Sequence, residues 1–236
     1  MSLTRSILIV AASGVCALGA MVGPRSPAAA AEPGKIAATD LLFDRKHLSN
    51  VDAGADLDYR FQRTVSQPEL LGQPFSDDIH VQVKKAGGDG TRDLVVKVFS
   101  GDRAREPQAI EGMTGNPILI VFLDRSIASY ISIAGGNSAY LKDHFRTALR
   151  DKATVEPVKV MLGEKQVAGY KVTVTPYAGD INAPKMRGFE NSKFAITVSD
   201  NVPGQFVEME AIYESTDKTA PRLEERTQLV GAQVIP

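Results

Sequence analysis

The sequence predicts a mainly β protein: one large, strongly curved antiparallel sheet, a half-barrel or a barrel, with one amphipathic helix packed on it. Three observations carry this. Apolar and polar side chains alternate with a period of two in segment after segment from Leu57 onward, which is how a strand buries one face and wets the other. Glycine-bearing turns of hairpin type separate these segments. One segment only, Asn137 to Arg150, repeats its apolar residues at helical spacing.

The chain opens differently. Arg5 is followed by apolar or small residues from Ile7 to Val22, then by Pro24 and Pro27, then by the small residues Ala28 to Ala31. Basic residue, apolar run, breaker and small-residue site are the order of a secretory signal peptide, here residues 1–31, cut after Ala31. Residues 32–236 then form a single β-rich domain, periplasmic or secreted, with no transmembrane segment once the leader is removed. An uncleaved anchor is the alternative. Loss of Arg5 and Arg25 takes the net charge from −1 to −3. Cys16, the only cysteine, lies in the leader, so the product has no disulfide, thiolate ligand or cysteine nucleophile. A lipoprotein beginning at Cys16 would place the branched Val15 where its peptidase prefers a small side chain.

The remaining elements follow in order. Asp40 to Asn50 reads as a short helix that Asp40 caps. Leu57 to Val65 is a strand, and Ile79 to Val83 forms a hairpin with Leu94 to Phe99 across Ala86 to Gly90. Ile118 to Leu123, a continuous apolar run after Pro117, suits a strand covered on both faces, and Ile127 to Ile133 a second one. Hairpins then join 155–162 to 166–175 and 194–198 to 206–213, with Pro203-Gly204 as the centre of a type II turn. Leu223 to Val234 closes the series. In the helix, Leu141, Phe145, Ala148 and Leu149 share a stripe flanked by Tyr140 and His144. Asn137 or Ser138 supplies its cap, and Arg146, Arg150 and Lys152 suit its negative carboxyl end. About ten strands are too many for a flat sheet, which would twist, curl or split; a two-sheet sandwich with the helix at one edge is the alternative.

Chemistry is mostly excluded. A net charge near zero gives no basic field for nucleic acid. No nucleophile elbow, phosphate loop or zinc-binding H-E-x-x-H helix occurs, and paired carboxylates such as Glu208 and Glu210 read as the wet face of a strand. His47, His80 and His144 are isolated from one another; Asp78 and His80 share a strand face, but two ligands do not make a metal site. Neither an enzyme nor a cofactor is expected. Gly135-Gly136 allow a sharp turn into the helix, and their amides could also cradle an anion at its start. Residues 101–116 and 177–192 are long connections that serve either as rims of a site or as mobile loops.

The exported leader, the short helix, the opening strand Leu57-Asp58-Tyr59-Arg60-Phe61 and the hairpins with one inserted helix resemble the incomplete barrels of the bacterial lipoprotein carriers LolA and LolB. Asn116-Pro117 through Phe122-Leu123, then Gly135-Gly136-Asn137, Tyr140, Ala148-Leu149 and Val202-Pro203-Gly204 are similar to a family of exported bacterial proteins to which no activity is attached. The carrier resemblance implies an apolar cavity between sheet and helix that holds acyl chains. Phe122, Tyr130, Ile131, Tyr140, Leu141 and Phe145 are the residues expected to line it, around a lipid or another apolar small molecule. The alternative is an envelope protein that binds a protein partner through an exposed sheet edge and has no cavity. Export has a direct readout: mass analysis of the periplasmic or secreted protein should find Glu32, or Ala31, as its first residue, whereas an intact Met1 would overturn it.

Overall fold

The computed structural model describes residues 36–235, so the leader and Cys16 lie outside the described residues. Ten strands build one antiparallel sheet in the order β10-β5-β6-β7-β8-β9-β1-β2-β3-β4, and the sheet does not close. They are β1 (Asp56–Val65), β2 (Phe75–Ala86), β3 (Arg92–Val98), β4 (Gln108–Met113), β5 (Thr154–Leu162), β6 (Lys165–Val174), β7 (Lys193–Val198), β8 (Phe206–Tyr213), β9 (Leu223–Leu229) and β10 (Ala232–Ile235). The helices are the single turn α1 (Pro68–Leu71), then α2 (Ile118–Ala134) and α3 (Ser138–Asp151). The closed barrel and the two-sheet sandwich are both excluded by this one ladder.

Alternation places the strands as expected. In β1, Leu57, Tyr59 and Phe61 are buried and Asp56, Asp58 and Arg60 exposed. Ile79 and Val81 of β2 stand opposite Tyr59 and Leu57, so one apolar face runs across the pair and receives the helices. The same face continues through Phe194 and Ile196 of β7 and through Met209, Ala211 and Tyr213 of β8.

The main correction concerns residues 118–134. Instead of two strands they form the 17-residue helix α2. A run such as Ile118 to Leu123 carries no periodicity of its own, and its partners decide between strand and helix. Here the buried residues recur as Ile118, Phe122, Ser126, Tyr130 and Ile133, a helical stripe that the unbroken apolar run conceals. Two long helices therefore pack on the sheet, not one. Gly135, at φ 80°, ends α2, and Asn137 caps α3 by accepting a hydrogen bond from the Tyr140 N–H at 3.1 Å. The glycine pair thus turns one helix into the next; a Cβ on Gly136 would lie 3.2 Å from Leu141.

Four smaller differences follow. The helical part of residues 40–50 is one π-helical turn, Asp40–Asp44, without a side-chain cap. Residues 101–116 contain β4, an edge strand paired only with β3. The long final segment breaks at Gly231 (φ 84°) into β9 and β10. Residues 177–192 are neither rim nor free loop, because Tyr177, Met186, Phe189 and Ser192 are all buried.

A second, smaller core lies on the opposite face. Thr197 stands opposite Glu208, on the side away from Phe194 and Ala211, yet Ala195, Thr197 and Glu208 are buried, as are Val160 and Ala232. The cause is β10, which returns from β9 to pair with β5 and approaches β8 and β9, where Gln228 donates to the Ala232 carbonyl at 2.7 Å.

Truncation of the helix–sheet contact tests this packing. Phe145 meets Phe194 edge-on, with centroids 4.7 Å apart, so Phe145→Ala should cost about 3 kcal/mol and Phe194→Ala more, toward 5 kcal/mol. Urea denaturation gives both values, and an unchanged Phe145→Ala curve would reject the contact.

Candidate ligand-binding groove

The six residues expected to line a cavity lie in or against the hydrophobic core. Phe122, Tyr130, Leu141 and Phe145 are buried, while Ile131 and Tyr140 are partly buried against the same core. Tyr130 lies 4.4 Å from Tyr177 and 6.4 Å from Tyr213 between ring centroids, and Phe194 meets Tyr213 at 5.7 Å. These rings pack against one another between sheet and helices. Phe145 also reaches an opening.

That opening is a surface groove of about 270 Å³ between α2, α3 and the turn at Asp40–Asp44. Its walls are Phe43, Ile120, Leu123, Ile127, Phe145 and Leu149, and Asp124, Lys142 and Arg146 stand at its rim. Phe43 and Ile120 are 46% and 52% exposed, a large apolar area to leave in water. Lys142 donates to Asp124 at 2.8 Å, and Arg146 lies 3.7 Å from Asp143 on its own helix. Each rim cation is thus paired with a carboxylate, Asp124 on the rim and Asp143 beside it. Arg146 is legible in the sequence among the cations at the carboxyl end of α3. Ile120 and Leu123 were missed because their segment was read as a strand, and Phe43 because nothing in its neighbourhood marks an apolar residue as exposed.

The polar tip of Tyr140 is engaged elsewhere. Its hydroxyl donates to the Asp180 carboxylate, 2.7 and 2.9 Å from the two oxygens, and accepts from Asn182 Nδ2 at 2.9 Å. His144 stacks on the Tyr140 ring at 3.8 Å and places Nε2 3.5 Å from Asp180. The Asp180 side chain is 2% exposed. Burial by itself would raise its carboxyl, but the Tyr140 hydroxyl, the Asn182 N–H and the charges of His144 and Lys152 outweigh burial and hold it below the usual value. This cluster bolts residues 177–192 to α3. Nearby, the Tyr130 hydroxyl is buried without a partner, and burial, with the charges of Glu190 and Asp180, pushes it well above its ordinary range.

The strand histidine is paired across strands rather than along its own. Asp78 accepts from Arg60 at 2.6 Å, and His80 Nδ1 lies 2.6 Å from Asp58. Asp56, Asp58 and His80 come within 4.8 Å of one another on the wet face of β1 and β2. Asp77, on the opposite parity, faces inward to Ser100 and Arg103.

The depressed Asp180 carboxyl predicts a pH dependence with a definite sign. A lowered folded value stabilises above the unfolded aspartate pKa, about 3.9, and that stability is lost as pH falls through the folded value. Asp180→Asn should therefore flatten the fall in unfolding free energy below about pH 4, measured by urea titration at several pH values; an identical profile would show that Asp180 contributes nothing there.

No family model and no curated protein sequence matches this chain, so any functional reading rests on the groove and the residues around it.

Proposed function

We propose that the protein is an exported binding protein that takes one apolar chain of an anionic amphiphile into the groove between α2 and α3. The observation that carries this is the groove itself: six apolar walls, two of them half-exposed side chains, and a rim that carries Lys142 and Arg146. A volume of about 270 Å³ stands just below the usual range of ligand sites, roughly 300 to 1,000 Å³, and suits one chain rather than several. Covering Phe43 and Ile120 supplies the driving force at roughly 25 cal/mol per Å² of apolar surface removed from water. Lys142 and Arg146 can hold a carboxylate or phosphate head without burying it, and the amphiphile's head then stays wet while its chain is sequestered. Among the described residues no helix is long and apolar enough to cross a membrane. The burial of Phe122, Tyr130 and Leu141 favours a ligand at the surface over one in an interior cavity. Partner binding through a sheet edge has less support, because the free edge strand β4 is short and its pairing with β3 shifts register, features that blunt an edge.

Titration of the delipidated protein with a fluorescent long-chain fatty acid should give saturable binding near one micromolar, about 8 kcal/mol. Ile120→Gln, at a half-exposed position, should weaken it about tenfold, or 1.4 kcal/mol, with unchanged melting. Equal binding by Ile120→Gln, or no saturable binding by the wild type, would overturn the assignment.

A further inference from the structure

On the other flank of α2 lies a second pocket, of about 230 Å³, lined by Arg63, Phe75, Phe99, Arg103, Arg105 and Arg125. Four of its six residues are arginines, brought from three places: β1, the turn that follows β3, and α2. Their counter-ions are few. Glu225, its side chain 4% exposed, accepts from Arg63 at 2.6 Å, Arg125 at 2.7 Å and Ser129 at 2.9 Å. Asp77 accepts from Arg103 at 3.3 Å and from Ser100 at 2.9 Å. Arg105 has no ion pair among the described residues, and its N–H is tied to the Val98 carbonyl at 3.0 Å. Four guanidinium groups thus face two carboxylates, an excess of two positive charges.

Two features separate this cluster from an ordinary surface network. Arg63 and Arg125 are only 12% and 14% exposed, and Arg125 Nε is buried with no hydrogen-bond partner. One charge of the excess is thus withdrawn from water, on two arginines that share Glu225, while the Arg103 side chain is 53% exposed; excess charge so withdrawn is costly unless an anion answers it. The aromatic floor is also built rather than incidental. The Arg125 guanidinium sits 4.4 Å from the Phe61 centroid and 4.9 Å from Phe99, and Arg103 sits 4.7 Å from Phe75. Phe99 holds that position with φ 67°, a left-handed conformation that a bulky residue adopts only under constraint.

We propose that this pocket binds the dianionic phosphate group of a phosphomonoester. Guanidinium forks converging from several directions match a tetrahedral oxyanion, to which arginine bonds bidentately. The excess of two charges matches a dianion better than a carboxylate, and the Phe75 and Phe99 rings flank the position of the ester substituent. Free inorganic phosphate shares the anion chemistry but not the ring contact.

Calorimetry at low ionic strength, with phenyl phosphate and inorganic phosphate as the two probes and acetate as the monoanion control, tests this. Both phosphates should bind at least about tenfold more tightly than acetate, with phenyl phosphate the tighter if the rings receive an ester and the two equal if free phosphate is the ligand. Arg105 has no ion pair among the described residues, so Arg105→Gln should fold with unchanged melting and lose at least about tenfold in phosphate affinity. A wild type that binds phosphate no better than acetate, or no better than the Arg105→Gln variant, would overturn the proposal. The fatty-acid titration of the α2–α3 groove reads a different site, so either result stands without the other.

Discussion

The side-chain amide of Asn116 joins three parts of the chain that are far apart in sequence. Its nitrogen donates to the Tyr59 hydroxyl of β1 at 2.9 Å and to the Gly204 carbonyl in the β7–β8 turn at 3.0 Å, while its oxygen accepts from the Ile118 N–H at 3.1 Å. Asn116 is buried, and each of these bonds satisfies a group that would otherwise be a buried, unpaired donor or acceptor. The turn is shaped to receive it. Gly204 takes φ 69°, and a Cβ there would lie 2.7 Å from the amide nitrogen and 2.6 Å from Leu57. Asn50 completes the arrangement by accepting from the Gly204 N–H and donating to the Val202 carbonyl. The first turn of α2 is therefore fixed to the centre of the sheet before any of its apolar side chains is counted.

From that anchor α2 divides the functional surface in two. One flank turns Ile120, Leu123 and Ile127 toward α3 and the groove. The other sends Arg125 and Ser129 to Glu225 of β9. A single helix thus presents an apolar opening and a cationic one, and its rotation about its own axis decides both. The Tyr213 hydroxyl, which donates to the Ser126 carbonyl at 3.1 Å, helps to set that rotation from the sheet side.

Strands with one wet face were legible because alternation survives without knowledge of partners: β1 and β2 fall where their patterns lie, as do the hairpins β5–β6 and β7–β8, although β7 and β8 are covered on both faces. The helix α3 was legible for the same reason, its stripe of Leu141, Phe145, Ala148 and Leu149 being buried as expected. Residues 118–134 were not, because a segment covered on most sides loses the polar residues that mark its period. β4 was hidden among charged and glycine residues, since an edge strand buries little and so needs little apolar signal. Both pockets escaped for a common reason. Each is assembled from residues that are ordinary in their own segments and meet only through the tertiary placement of α2.

The return of β10 onto β8 and β9 has a bearing on how the molecule opens. Shielded by helices on one side and by the curled end of the sheet on the other, Phe194 to Val198 and Phe206 to Met209 are buried without interruption. Amide protons there exchange with solvent only when the whole structure comes apart, whereas β4, exposed along most of its length, can detach in a local fluctuation. Stability therefore falls from the centre of the sheet toward β4. The arginine pocket, whose Arg103 and Arg105 lie on the connection between β3 and β4, sits on the yielding part of that gradient, while the α2–α3 groove rests on the rigid part.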